Sequence, residues 1–359
     1  MLLVIEYLVV PQVAGARQAV HVLLDVNLAL VGLAVALEVA ALLAYGRLTR
    51  AALPQAARPS FTTIMRIDLA TLAVGHVVPG GSAAGAALGY RLLTSAGVSG
   101  TDAGFALATA GLGSAVVLNV LLWLALIVSI PIRGFNPLYL TAALLGAGLL
   151  AFFAAVIVGL TRGENRAADW LCRFAGRTRL LDADRVDAGV HQAASRLREL
   201  SADRPLLARA GGWAAANWLL DAASLWIFLL AFGHRIGPDA LLVAYGLANI
   251  LAAVPVTPGG LGVMEAVLAT LLVGFGTPRG IALLAVVAYR LVNFWLPIPV
   301  GAAAYLSLRT GATTAERRRA EELRIVGERA VQEAEHAREW ATRRGIRLPG
   351  PGRDGGPDV

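Results

Sequence analysis

The chain has 359 residues, 57% of them hydrophobic and only 15% charged, with a mean hydropathy of +0.66. A soluble domain carries about 25% charged residues, so this balance excludes an ordinary soluble enzyme, a disordered chain and a collagen-like chain. The net charge is +7, but the Arg residues stand in loops and a tail around apolar runs, which reads as orientation in a membrane and not as nucleic-acid binding.

The chain has no Lys and 39 Gly, a composition that fits a GC-rich, bacterial coding sequence. Its one cysteine, Cys172, rules out a disulfide framework or a Cys-rich metal centre. The five His residues, at 21, 76, 191, 234 and 336, never form a close pair on one face, so no metal site is expected. The fold class expected is all-α: a polytopic integral membrane protein.

In chain order, Met1–Val10 is apolar but short, without a basic leader or a small-residue cleavage site. It reads as the end of a helix whose start lies upstream. Val26–Gly46 is long enough to cross a hydrocarbon core, which takes about 20 helical residues. So are Phe105–Ile130, Leu138–Leu160, Trp213–Phe232 and Ile281–Leu308. The segments Thr161–Arg209 and Arg309 to the C-terminus, with Arg47, Arg50 and Arg58, hold 24 of the 31 Arg. The positive-inside rule places them in the cytoplasm of a multi-pass cell-membrane protein. Within them, Asp182–Ser201 is amphipathic and reads as a surface helix. Glu316–Arg347 reads as a solvated charged helix, followed by a Gly- and Pro-rich, disordered end at Leu348–Val359.

Two apolar stretches fail as plain spans. Phe61–Gly97 is interrupted at Val78-Pro79-Gly80-Gly81, and Pro238–Gly276 at Val256-Thr257-Pro258-Gly259-Gly260. Proline removes a backbone donor and glycine frees the dihedrals, so a helix must stop at each break. The pieces that follow, Ser82–Ala96 and Leu261–Phe275, are too short to span comfortably. Each stretch therefore reads as a re-entrant hairpin. Parity of the crossings makes the first begin and end inside and the second begin and end outside. The expected layout is two inverted repeats, about 26–130 and 211–308, separated by the 161–209 loop and followed by a 311–359 tail. Their site would lie at the repeat interface.

Ionisable residues in hydrocarbon are costly and default to functional candidates. Glu265 stands one turn past the second break. Arg290 stands in the last span, flanked by Tyr289 and Asn293. Arg66, Asp68 and His76 precede the first break, and Arg91 follows it. The candidate substrate-binding set is Pro79, Gly80, Gly81, Arg91, Pro258, Gly259, Gly260, Glu265 and Arg290. Arg290, with Arg66 or Arg91, would hold an anionic head group. Helix N-termini after Gly81 and Gly260 would offer free N–H groups to a phosphate. Glu265 and Asp68 would pair with the Arg in the empty site. The competing reading is that these charges are internal salt bridges. Glu38, Asp221 and His76 are read first as structural partners, and the Trp residues as interface belts or packing.

These residues also carry a resemblance. Val254-Pro-Val-Thr-Pro-Gly-Gly-Leu-Gly-Val-Met-Glu265, then Gly276, Ala288-Tyr-Arg290-Leu-Val, Trp295-Leu-Pro297 and Gly301, is similar to a signature of the lysylphosphatidylglycerol synthase transmembrane family. That family is also called flippase-like, and is the membrane half of the bacterial multiple peptide resistance factor. His76-Val-Val-Pro-Gly-Gly81 with Tyr90-Arg91-Leu-Leu and Gly97 resembles its first signature. The resemblance covers roughly residues 1–310. It implies movement of a phospholipid or a lipid-linked head group between leaflets, without the aminoacyl transfer that fused members run in a soluble domain. Only about 50 residues follow the last span, too few for such a domain.

No nucleotide loop, HExxH motif or Ser/His/Asp set appears, so no cofactor is expected. Two alternatives remain: an intramembrane lipid-modifying enzyme or its accessory subunit, with Glu265 as general base, and a scaffold. A homo-oligomer, or a cytoplasmic partner docking on the Arg-rich loop or tail, is a further expectation.

Overall fold

The computed structural model describes residues 26–55, 58–78, 81–134, 137–162, 203–252 and 257–310. Everything else, including Met1–Val10, the amphipathic 182–201 segment, the charged tail, Pro79 and Gly80, lies outside the described residues. All described secondary structure is helical. The described residues up to Tyr305 form one compact unit. Leu306–Val359 is a second, described only over residues 306–310.

In order, α1 is Leu28–Ala52, α2 Phe61–Val77 and α3 Gly81–Ser95. Helix α4 runs through Gly100–Ala108, a π-turn at Thr109–Gly113 and Ser114–Arg133; α5 is Pro137–Arg162. Helix α6 is Arg204–Ala231, α7 Pro238–Ala252 and α8 Val263–Gly274, with a 3₁₀ turn at Pro258–Gly260 between the last two. Helix α9 runs Arg279–Arg290, through a π-turn at Leu291–Trp295, and on to Thr310. The helices Leu28–Ala52, Gly100–Pro131, Arg204–Ala231 and Arg279–Thr310 are long and apolar enough to cross a membrane. The 26-residue α5 covers the fifth expected span.

The long helices overrun the expected spans. Helix α1 continues past Gly46 through Arg47 and Arg50, and α6 takes in Arg204 and Arg209 from the expected loop. Hydropathy marks where hydrocarbon ends, whereas a helix ends where its caps are. Asn27, Ser60, Ser99 and Asp203 each accept a backbone N–H at the start of α1, α2, α4 and α6, satisfying donors that the first turn leaves free. Gly97, Gly233 and Gly276 take positive φ and close Schellman-type ends, as in Val98 N–H to Leu93 C=O at 3.1 Å.

Helices α1 and α6 pack along their length and run antiparallel. Ser224 donates to the Ala34 carbonyl at 2.9 Å and Asn217 to the Ala41 carbonyl at 3.0 Å. Ser224, Asp221 and Asn217 share one face of α6, against Ala34, Glu38 and Ala41 on one face of α1. The small alanines bring the backbones close enough for side chain-to-carbonyl bonds. Trp218 and Trp226 donate to the Ser114 and Ile236 carbonyls at 2.9 and 3.0 Å, so these two indoles pack helices and connections together. At the other end, Arg47 lies over the rings of Phe61 and Trp213, 4.6 and 5.8 Å from their centroids. A large apolar cluster joins α1 and α4 through α9, with Tyr139, Phe228, Tyr245 and Tyr289 fully buried in it.

The first hairpin is held differently. Gly81, Gly85 and Gly89 form a ladder with a period of four on the α3 face turned to α2. A Cβ on Gly81 would run into the Gly75 carbonyl, and one on Gly85 into that of Thr71. This is backbone-to-backbone packing of the Gly-x-x-x-Gly kind. Gly85→Ala is expected to wedge α2 from α3 and cost about 1–3 kcal/mol. Gly32→Ala, with open space around its Cβ, should instead stabilise by about 0.5–1 kcal/mol. Thermal midpoints of the purified variants in detergent check both signs.

Candidate functional site

The second break is a turn closed on itself. The Gly260 N–H bonds the Thr257 carbonyl at 3.1 Å, and the Thr257 hydroxyl donates to the Leu261 carbonyl at 2.8 Å. Gly259, Gly260 and Gly262 have φ of 58°, 70° and 80°, a region that side chains other than glycine rarely enter. The chain therefore re-enters helix only at Val263, two residues beyond the expected Leu261. This turn packs against both α2 and α3, so the second break sits on the first hairpin.

Glu265 is the third residue of α8. Its Oε2 accepts the Gly262 N–H at 2.7 Å, filling a donor at the helix start. Its Oε1 accepts Arg290 Nε at 2.6 Å, with the two side chains 17% and 8% exposed. Arg290 Nη2 also reaches the Gly259 carbonyl at 3.4 Å. The guanidinium lies over the Phe294 ring, 4.3 Å from its centroid. The same ring stacks on His76 at 4.1 Å, and His76 Nδ1 sits 3.1 Å from the Phe294 carbonyl. Phe294 thus lies between the first hairpin, just before its break, and the charges beside the second.

The π-turn on α9 positions this group. Pro297 and Pro299 cannot donate to the carbonyls four residues back, and Leu296 N–H bonds the Leu291 carbonyl in π register at 2.9 Å. The register change places Asn293 beside Arg290 on the inner side of the bundle. Asn293 Nδ2 donates to Glu38 at 2.8 Å and to Asp221 at 3.2 Å. Asp221 also accepts the Tyr245 hydroxyl at 2.6 Å and the Tyr289 hydroxyl at 2.7 Å. A polar chain therefore runs from the second break through α9 to the α1–α6 seam.

Of the candidate residues, the structure brings Gly259, Glu265 and Arg290 into direct contact. Gly260 lies in the same turn, and the backbone of Pro258 starts it. Gly81 opens α3 against Gly75. Arg91 and Arg66 are exposed, outside the contacts that build this cluster. The described bonds of Arg91 use its carbonyl, which accepts from Thr94 and Ser95. Asp68 is buried beside Thr49 and Tyr45, away from Arg290, and its Oδ2 has no hydrogen-bond donor. A separate cavity of about 250 Å³ at the end of α1 is lined by Arg58, Arg209, Asp102 and Asp203. It includes none of the candidate residues. Sequence reasoning misses Tyr245, because a tyrosine in an apolar helix carries no mark of what it faces. Among the described residues no cluster of His, Cys, Asp and Glu is suited to a metal.

The family model for the lysylphosphatidylglycerol synthase transmembrane region matches residues 2–301. The chain belongs to that family. The match takes in both breaks, the Glu265–Arg290 pair and Gly301, and it makes the protein a multi-pass membrane protein. Among curated relatives, the chain is 25% identical over 161 residues to a UPF0104 membrane protein of Methanothermobacter thermautotrophicus, covering 44% of this chain and 48% of that one. It is 30% identical over 98 residues to the inner membrane protein YbhN of Escherichia coli, covering 27% and 30%. It is 28% identical over 183 residues to the glycosyltransferase AglD of Haloferax volcanii, covering 49% and 29%. The aligned stretches thus span about half the length of the first relative and less than a third of the other two. The polar and glycine residues that build the site all fall inside the part of the chain that the family model covers.

Proposed function

We propose that the protein moves an anionic lipid between leaflets, with the head group engaged where the two broken hairpins meet. The observation that carries this reading is the Glu265–Arg290 ion pair, made at 2.6 Å in the middle of an apolar bundle and against a helix break. A buried pair of this kind is a poor device for stability, since desolvation offsets much of its attraction. It is a good device for exchange. An incoming phosphate can take over both Arg290 and the Gly262 amide that Glu265 now occupies, using the same charge-assisted bonds. The non-helical backbone at 257–262 offers further N–H groups, and such backbone belongs at membrane depth only where protein or a wet cavity covers it.

In this reading the two halves are inverted repeats: α1 with α2, α3 and α4, and α6 with α7, α8 and α9. The antiparallel α1–α6 seam, the two broken helix pairs and the π-turns in both α4 and α9 support the relation. The Arg-rich 161–209 loop and the tail face the cytoplasm. The membrane is the cell membrane, and the cargo carries a phosphate on a lipid chain. A lipid-linked anionic head group is the second cargo that such a site would take.

The test is a leaflet assay. The full chain is reconstituted in vesicles containing phosphatidylglycerol labelled with a nitrobenzoxadiazole group, and dithionite is added outside. Vesicles without protein lose only their outer-leaflet fluorescence. Vesicles with protein are expected to lose nearly all of it. Identical traces with and without protein would end the transport reading.

A further inference from the structure

Glu38 on α1 and Asp221 on α6 meet at the seam of the two longest-packed helices. Both are buried, at 2% and 7% exposure. One amide nitrogen, Asn293 Nδ2, donates to both. Asp221 has its two oxygens filled by the Tyr245 and Tyr289 hydroxyls together with that amide. Glu38 does not: its Oε2 is buried without a hydrogen-bond partner. Because one nitrogen bonds Glu38 Oε1 at 2.8 Å and Asp221 Oδ1 at 3.2 Å, the two carboxyl groups are held side by side around it.

Among the described residues, the charged and titratable groups that face the pair can be named by element. Helix α7 contributes Tyr245, and α9 contributes Tyr289, Asn293 and Arg290. Both hydroxyls already donate to Asp221. Arg290 is the cation nearest the pair, and it is bound by Glu265 of α8 at 2.6 Å. His76 of α2 stacks on the ring of Phe294, which Arg290 also overlies. The guanidinium is thus committed to Glu265, and no described ion pair reaches Glu38 or Asp221. Two adjacent carboxylates removed from water and without their own cation repel strongly. A single proton between Glu38 and Asp221 removes that repulsion and supplies the donor that the free Glu38 oxygen lacks.

We infer that Glu38 and Asp221 form a proton-binding pair, and that exchange of this proton drives lipid movement. The second half rests on the transport reading above. The proton arrives from water on one side as an O–H bond forms at Glu38, and it leaves to water on the other when that bond breaks. Its loss sets two like charges against each other across the α1–α6 seam, which loosens the seam and the π-turn that Asn293 anchors.

Two measurements test the two halves separately. Infrared difference spectra of the purified full chain read the carbonyl stretch of protonated carboxyl groups. The wild type is expected to keep such a band at neutral pH, with loss of the band in both Glu38→Gln and Asp221→Asn. Glu38→Gln retains an acceptor for Asn293 and gains an N–H toward Asp221, so it preserves the packing. A band unchanged in both variants overturns the proton pair. In the leaflet assay with labelled phosphatidylglycerol, the wild-type rate should differ roughly tenfold between vesicles with opposite pH gradients. The difference should vanish when nigericin collapses the gradient, and it should be absent in Glu38→Gln. A rate indifferent to pH gradients, or one that follows a sodium gradient instead, overturns the coupling. A band that is lost in Glu38→Gln, with no label movement under any gradient, sinks the transport reading while supporting the pair.

Discussion

Arg290→Ala is expected to destabilise the protein more than Glu265→Gln and Arg290→Met made together. The single change strands the Glu265 carboxylate in the bundle with only the Gly262 amide to hold it. Removing one partner of a buried ion pair costs about 3–5 kcal/mol, whereas replacing the pair by uncharged residues of like volume is often neutral. In the double variant, the glutamine amide at position 265 still presents an oxygen to the Gly262 N–H, and the methionine chain at position 290 still fills the space over Phe294. Thermal midpoints in detergent should therefore fall steeply for the single variant and recover in the double. Leaflet exchange should not recover. Loss of charge-assisted bonds worth about 1.5–3 kcal/mol slows it roughly tenfold or more. A double variant that moves labelled lipid at the wild-type rate would make the pair a mere fastener.

Gly259→Ala should be the most damaging single methyl in the second hairpin. The residue sits at φ 58° and ψ 20°, where a Cβ costs about 1–2 kcal/mol. Its Cβ would also strike the Phe294 ring and crowd the backbone of His76, an overpacking that adds about 1–3 kcal/mol. Gly276→Ala provides the control, because its φ is 93° but nothing lies near its Cβ. It should lose only the backbone share. The two midpoints separate strain from collision, and equal losses would mean that Phe294 yields freely. The leaflet assay should show Gly259→Ala impaired and Gly276→Ala close to normal.

What the sequence discloses here follows from how local each signal is. The breaks are legible because Pro-Gly-Gly is a chemical interruption that no tertiary context repairs. Glu265 and Arg290 are legible because a charge in an apolar run stands out, and the two sit 25 positions apart around one loop. The partners of Asn293 are another matter. Glu38 is 255 positions away and Asp221 is 72, and no spacing rule links residues on three separate helices. The sequence marks each as costly but leaves the company it keeps unstated. The Gly81–Gly85–Gly89 ladder is hidden for the opposite reason: among Ser, Ala and Leu, three glycines look like ordinary small residues until the carbonyls of Thr71 and Gly75 are placed against them. The π-turn in α9 is signalled by Pro297 and Pro299, whereas Thr109–Gly113 in α4 has no proline to announce it. The expected helix ends fall short at Arg47, Arg50, Arg204 and Arg209, because arginine stops hydrocarbon and does not stop a helix.

The double use of Phe294 limits how the protein can move. Its ring stacks on His76 of the first hairpin, and Arg290, one turn back on the same helix, lies over that ring while holding Glu265 and the Gly259 carbonyl of the second, so neither hairpin tilts alone without breaking a contact to α9. If the protein carries lipid as proposed, a swing that opens one entrance drags the opposite entrance in the same stroke, as the two pans of a balance share a beam. On that proposal, simultaneous opening to both compartments, which would short-circuit any gradient, becomes the least accessible posture.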